Sequence, residues 1–170
     1  AVLAALGAER VILARELTLA EVTACTVEAK RHGVETEHFV HGALCYAFSG
    51  QCLMSNFAGC RSANRGTCAQ NCRFDYQKSA GDPTTEISMK DLALFGRIPE
   101  LAQAGVSSLK IEGRLKGADY VYTTARIYRA AVDAWAAGKP MDLAWAKDLQ
   151  RDVFSRANTD APLRGVYDAS

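Results

Sequence analysis

Five of the chain's six cysteines lie between Glu37 and Tyr76, together with His38, His41 and a run of Gly, Ser, Asn and Arg that shows no apolar periodicity. Such a stretch cannot be one helix or one strand, so it reads as a ligand-bearing loop. Cys45 and Cys52 flank six residues, Cys68 and Cys72 flank three, and fifteen separate the two pairs. Four thiols in one loop, with Gly42, Gly50, Gly59 and Gly66 permitting tight turns, form the pattern of a four-thiolate metal centre. Structural zinc usually pairs cysteines across about two residues, a gap that does not occur here, so the spacing favours an iron–sulfur centre over zinc. Disulfides or buried thiols are the competing account of the same cysteines. Cys60, between Gly59 and Arg61, is either a substitute ligand or a packing thiol. His41 is either a metal ligand or substrate contact, or a simply hydrogen-bonded ring.

Further charged residues sit where strands end. Between Ser107 and Glu112 the alternation puts Lys110 and Glu112 on one face and Leu109 and Ile111 on the other, with Arg114 just beyond. Arg15 and Glu16 follow the first strand, and His41 and Cys45 the second. Catalysis and internal salt bridging weigh equally for these charges. Arg61, Arg65, Arg73 and Lys78 face only Asp75 in the loop, and lie near Phe74 and Tyr76. They suit an RNA phosphate and a stacked base, or hydrogen bonds to loop carbonyls and cluster sulfurs. No HExxH, no GxSxG and no carboxylate pair with protease spacing occurs.

The elements that must position these residues alternate. Val2, Leu3 and Leu6 end a helix closed by Gly7, and Val11–Ala14 reads as a strand buried on both faces. Thr18 and Glu21 form a capping box for a helix to Arg31 that stops at Gly33, with Cys25 expected in the core. Glu35–His41 is a strand with Glu37, Phe39 and His41 on one face. Glu86–Ser88 is expected to be a strand, with a helix from Ser88 or Asp91 through Leu92, Leu94 and Phe95, and Pro99 opens a turn ending at Gly105. Tyr120–Ala137 is a helix with Val121, Thr124, Tyr128, Val132 and Trp135 as its apolar stripe, ended by Gly138 and Pro140. Trp145–Phe154 is a further helix, and Ser155–Ser170 shows no pattern.

Strand and helix in alternation predict a parallel α/β architecture. A closed eight-stranded barrel needs about 250 residues. Four βα units therefore predict the C-terminal half of a TIM-like barrel over residues 1–140, with its missing N-terminal half upstream, and a C-terminal helix and tail over 141–170.

At 170 residues with 49% hydrophobic content the chain supports a core, and 20 basic against 19 acidic residues give +1, so no global field draws it to nucleic acid or membrane. No run suits a membrane span and the first residues lack a signal-peptide pattern, so a cytosolic, reducing location is expected.

Glu37, Phe39, Gly42-Ala43-Leu44-Cys45, Gly50, Cys52 and Met54-Ser55 resemble the signature of the peptidase U32 family. The likeness extends through Gly59–Arg73 and Ser108–Arg114, and covers roughly Ala5 to Trp135 in the order of the C-terminal half of the family's barrel domain. It implies an oxygen-independent hydroxylase carrying a 4Fe-4S cluster on Cys45, Cys52, Cys68 and Cys72, acting on rRNA cytidine, on tRNA uridine or in ubiquinone synthesis, with prephenate as hydroxyl source. A collagenase-like peptidase and a zinc-stabilised RNA-binding fragment are the alternatives. One family branch takes a ligand from Lys-Asp-Leu-Cys, but Ala93 stands at that place here, and the Cys68/Cys72 pair resembles the 23S rRNA cytidine branch instead. Phe154-Ser155-Arg156-Ala157 resembles a family segment that ends in Gly. On this reading His41, Lys110, Glu112, Arg114 and Glu16 are the catalytic candidates, and Arg61, Arg65 and Arg73 the RNA contacts.

Overall fold

The structure, a computed structural model, describes residues 1–77, 83–84, 87–113, 116–153 and 157–166. Helix α1 (Val2–Ala5) runs out at Gly7 and leads into strand β1 (Arg10–Ile12). Helix α2 (Leu19–Arg31) starts at the expected capping box: the Thr18 hydroxyl accepts from the Glu21 N–H at 3.3 Å, and the Glu21 carboxylate accepts from the Thr18 N–H at 2.8 Å. Gly33, at φ 69°, supplies the left-handed stop. The chain then enters β2 (Glu35–Ala43), the longest strand.

After the cysteine loop, with its helix α3 (Met54–Gly59) and the short pair β3 (Tyr76–Gln77) and β4 (Pro83–Thr84), come β5 (Asp91–Ala93) and α4 (Ile98–Gln103). The remainder is β6 (Ser108–Ile111), α5 (Ala118–Ala136), α6 (Leu143–Arg151), β7 (Asn158–Thr159) and α7 (Ala161–Arg164).

β2 organises the sheet because it is long enough to serve three neighbours. Its start pairs in parallel with β1, Arg10 against Glu35, and its middle pairs in parallel with β6, Glu37 against Ser108. The β6 register passes from Phe39 to His41, leaving Val40 as a bulge. The end of β2 pairs with β5 antiparallel, Ala43 against Asp91, and β5 pairs in parallel with β7. The architecture is thus mixed α/β, and β5 departs from the all-parallel expectation. Helices α2, α4 and α5 cover the sheet over a core in which Val22, Val40, Leu92, Leu94, Leu101 and Ile127 are buried. Each contributes roughly 1.5–3 kcal/mol by leaving water.

Several expectations are corrected. Asp91–Phe95 is not a helix start: tertiary pairing with β2 and β7 takes the backbone groups of Asp91–Ala93, and Leu94 N–H donates to the Val40 carbonyl. Helix therefore begins only at Ile98, after a 3-10 turn at Phe95–Arg97. Ile87 and Ser88 are not in a strand, and Glu86 lies outside the described residues. β1 is not buried on both faces: Val11 packs on the core, but Ile12 is 51% exposed at the sheet edge. Cys25 is exposed, because the buried stripe of α2 runs through Val22 and Thr26 and leaves Cys25 on its shoulder. In α5 the stripe is rotated to Tyr120, Thr124, Ile127, Tyr128 and Ala131, leaving Val121 and Trp135 exposed. α6 begins at Leu143, capped by the Asp142 carboxylate, and ends before Phe154, which lies outside the described residues.

Candidate functional site

β2 hands the chain to the cysteine loop at Ala43, and Gly42 makes this exit possible. Its φ is +112°, and a Cβ there would stand 2.6 Å from the Glu112 carbonyl oxygen at the end of β6. Beyond it, side chains do what backbone ladders do elsewhere. The Glu16 carboxylate accepts from both the N–H and the hydroxyl of Ser49, each at 2.8 Å. Burial would raise this carboxyl, but the two bonds from Ser49 outweigh it and hold it below its ordinary range. Asn64 accepts from the Cys52 N–H at 3.0 Å, and buried Ser55 accepts from the Ala69 N–H at 3.0 Å. Arg73 reaches the Leu44 carbonyl at 2.5 Å, Ser88 Oγ at 3.1 Å and the Met89 carbonyl, so one guanidinium ties the end of β2 to the approach to β5.

These ties surround a cavity of about 550 Å³ lined by Cys45, Cys52, Cys68 and Cys72. Cys60 is not among its lining residues, and sits exposed at φ 51° at the end of α3. No disulfide forms: all six thiols are free. Burial raises the Cys72 thiol, Arg73 opposes the shift, and Cys45 and Cys68 add to it. The Tyr46 backbone also hydrogen-bonds Cys72, and the Gln70 N–H donates to Cys68 Sγ at 3.2 Å. Among the described residues no three His, Cys, Asp or Glu side chains gather tightly enough to hold a single metal ion. A multi-iron cluster is larger than one ion and spreads its ligand sulfurs further apart. Four free thiols on one cavity, with N–H donors at two sulfurs and an adjacent guanidinium, fit such a group in kind and number.

The strand-end charges mostly pair with each other. Lys110 lies 3.6 Å from Glu37, and Arg15 lies 3.8 Å from Glu112 while donating to the Ala43 carbonyl at 2.7 Å. Arg15 and Lys110 both stand over the Phe39 ring, at 4.3 and 5.2 Å. Arg15 and Glu112 reach the cavity, Lys110 does not, and Arg114 lies outside the described residues. Arg61 and Arg65 are exposed on the loop, whereas Arg73 is spent on the contacts above.

His41 stands away from the cavity. The Val40 bulge takes it off the face it would share with Glu37 and Phe39, and it is buried between Tyr120 and Tyr128. The Gln150 amide nitrogen, 3.2 Å from its Nε2, can only donate. The ring is therefore neutral, with its proton on Nδ1 directed at the Tyr128 hydroxyl 3.3 Å away. Burial pushes His41 down to about 4, with Asp91 opposing and Lys116 reinforcing the shift. Residue spacing did not single out Tyr46 and Phe48, which stand exposed on the cavity rim. Two aromatics alternating between Cys45 and Cys52 were the available signal.

Fold and site together define an α/β protein whose central strand opens into a thiol-lined pocket. The chain belongs to the peptidase U32 family, whose model matches residues 1–164. It is 36% identical over 166 residues to tRNA hydroxylation protein P1 of Bacillus subtilis, covering 91% of this chain and 38% of that protein. Against tRNA hydroxylation protein P of Helicobacter pylori strain 26695 the identity is 42% over 144 residues, covering 75% and 34%. Against a protein named collagenase from Porphyromonas gingivalis strain W83 it is 40% over 172 residues, covering 90% and 41%. The chain thus spans well under half the length of these relatives. No solved structure matches it significantly.

Proposed function

We propose that the chain carries the cluster-binding part of an oxygen-independent RNA hydroxylase, with a 4Fe-4S cluster on Cys45, Cys52, Cys68 and Cys72. The observation that supports this most is the convergence of these four free thiols on one cavity. Bound there, the cluster supplies electron transfer. The chain's own residues orient it: Gln70 and the Tyr46 backbone donate to sulfur, and Arg73 offsets the thiolate charge. Prephenate as hydroxyl source and a cytoplasmic setting belong to the same proposal. The parallel run β1–β2–β6 supports the half-barrel reading, in which a further part of the protein closes over the face bearing Glu37, Phe39 and Lys110.

The names of the relatives point to tRNA, and the Cys68/Cys72 resemblance to rRNA cytidine. Nucleoside mass spectrometry on separated tRNA and rRNA from a deletion strain decides between them: one fraction loses a hydroxylated nucleoside, and two unchanged fractions would sink the hydroxylase. Replacing any of the four cysteines with Ser should abolish iron and sulfide binding after anaerobic purification, whereas Cys25→Ser and Cys60→Ser should retain both. Stoichiometric zinc without iron would favour the RNA-binding alternative. The relatives named collagenase favour a second reading, peptide hydrolysis. Gelatin cleavage that survives loss of all four thiols would support it.

A further inference from the structure

The cysteine loop holds two large aromatic rings in water at the mouth of its own cavity. Tyr46 is 59% and Phe48 68% exposed, and both line the cavity that the four thiols share. Neither ring belongs to a loose segment. Ser49, next to Phe48, is fastened by two bonds to Glu16, and the Tyr46 backbone is bonded to Cys72. Holding apolar rings exposed on a fastened loop forgoes their burial, which is the signature of a binding surface.

The charges nearby select the kind of ligand. Arg61 and Arg65 are exposed on the same loop and form no ion pair with a carboxylate among the described residues, while the carboxylates beside the rings are occupied, Glu16 by Ser49 and Glu112 by Arg15. A rim of aromatic faces on a loop that also exposes two guanidinium groups, whose sequence neighbours Ala63, Asn64 and Gly66 line the same cavity, matches a single-stranded nucleic acid, which offers flat bases to stack and phosphates to neutralise. The cavity volume, about 550 Å³, falls within the small-molecule range of roughly 300–1,000 Å³. An unstacked base on the rim would therefore lie beside the thiols.

We propose that Tyr46 and Phe48 form a stacking platform that receives one unpaired RNA base at the mouth of the cysteine cavity, with Arg61 and Arg65 holding the flanking phosphates. This rests on the RNA hydroxylase reading and deepens it by naming the residues that present the base.

The test uses the intact protein, anaerobically purified, and fluorescence anisotropy with a short unpaired RNA oligonucleotide and the same oligonucleotide carrying one abasic position. Tyr46→Ala and Phe48→Ala should each weaken binding about tenfold, the usual scale for one lost stack. Tyr46→Phe and Phe48→Trp should restore it, and Tyr122→Ser, an exposed aromatic on α5, should leave it unchanged. The abasic RNA should bind the unaltered protein as weakly as the alanine variants bind normal RNA. Equal affinity of the unaltered protein for normal and abasic RNA overturns the platform even if the alanine variants fail to fold. So do alanine variants that bind like the unaltered protein, and ring variants that lose affinity for a gelatin peptide but not for RNA. An unaltered protein that binds no RNA overturns both the platform and the hydroxylase reading.

Discussion

At the scale of single residues, the site depends on positions that make no contact with it. Gly42 carries a positive φ and a close approach to the Glu112 carbonyl, two demands that only glycine meets together. Gly42→Ala should cost about 2–4 kcal/mol, through backbone strain and displacement of the β6 end. A thermal midpoint within one degree or so of the parent would refute that. His38 and His41 impose a pH dependence, since burial pushes both down to about 4 from the ordinary 6.5. The unfolded chain thus takes up protons that the folded chain refuses. Stability should be full above pH 6.5 and fall as pH drops toward 4, by up to roughly 3 kcal/mol per histidine. Urea midpoints at pH 7.5, 5.5 and 4.5 measure the loss, and His41→Asn should flatten part of the slope.

At the scale of elements, the cysteine loop is ordered by side chains rather than by a ladder. Arg73 has the largest share, because its fork spans the Leu44 and Met89 carbonyls, which lie on either side of the whole loop. Lysine cannot reproduce a two-carbonyl grip from one planar group. Arg73→Lys should raise hydrogen exchange of the amides between Cys45 and Asn71 about tenfold, matching one lost charged hydrogen bond, while amides of α2 and α5 stay protected. Equal exchange in the loop would mean that Glu16, Asn64 and Ser55 suffice. By contrast α2 is defined locally by Thr18, Glu21 and Gly33, and it owes the loop nothing.

At the scale of the whole molecule, the last segment is built into the same core as the rest. Ala146 and Leu163 belong to the buried cluster, and β7 extends the sheet beyond β5. Gln150 of α6 hydrogen-bonds His41 of β2 and Asn158 at the start of β7, linking α6 and β7 to a strand more than a hundred residues earlier. Gln150→Ala should leave His41 Nε2 without its donor and cost about 1–3 kcal/mol. Chemical denaturation reads this directly, and an unchanged midpoint would show that the link carries no stability. Among the described residues no helix is long and apolar enough to cross a membrane.

The sequence by itself determined what local rules can encode. The capping box at Thr18, the glycine stops at Gly33, Gly105 and Gly138, the β2 and β6 strands, and the four cysteines that share one cavity all follow from spacing and residue type. Tertiary structure decided the remainder, because its causes lie far away along the chain. Asp91–Ala93 became a strand only because β2 and β7 offered partners for its backbone. Cys25 moved to the surface because the sheet took the Val22–Thr26 side of α2. His41 left the site because a bulge at Val40 turned it into the core, where burial keeps it neutral beside Tyr128 and Gln150. The aromatic rim, too, is held in three dimensions: Tyr46 and Phe48 gain their place from Glu16, which the fold brings to the loop, and from Cys72 near the loop's far end.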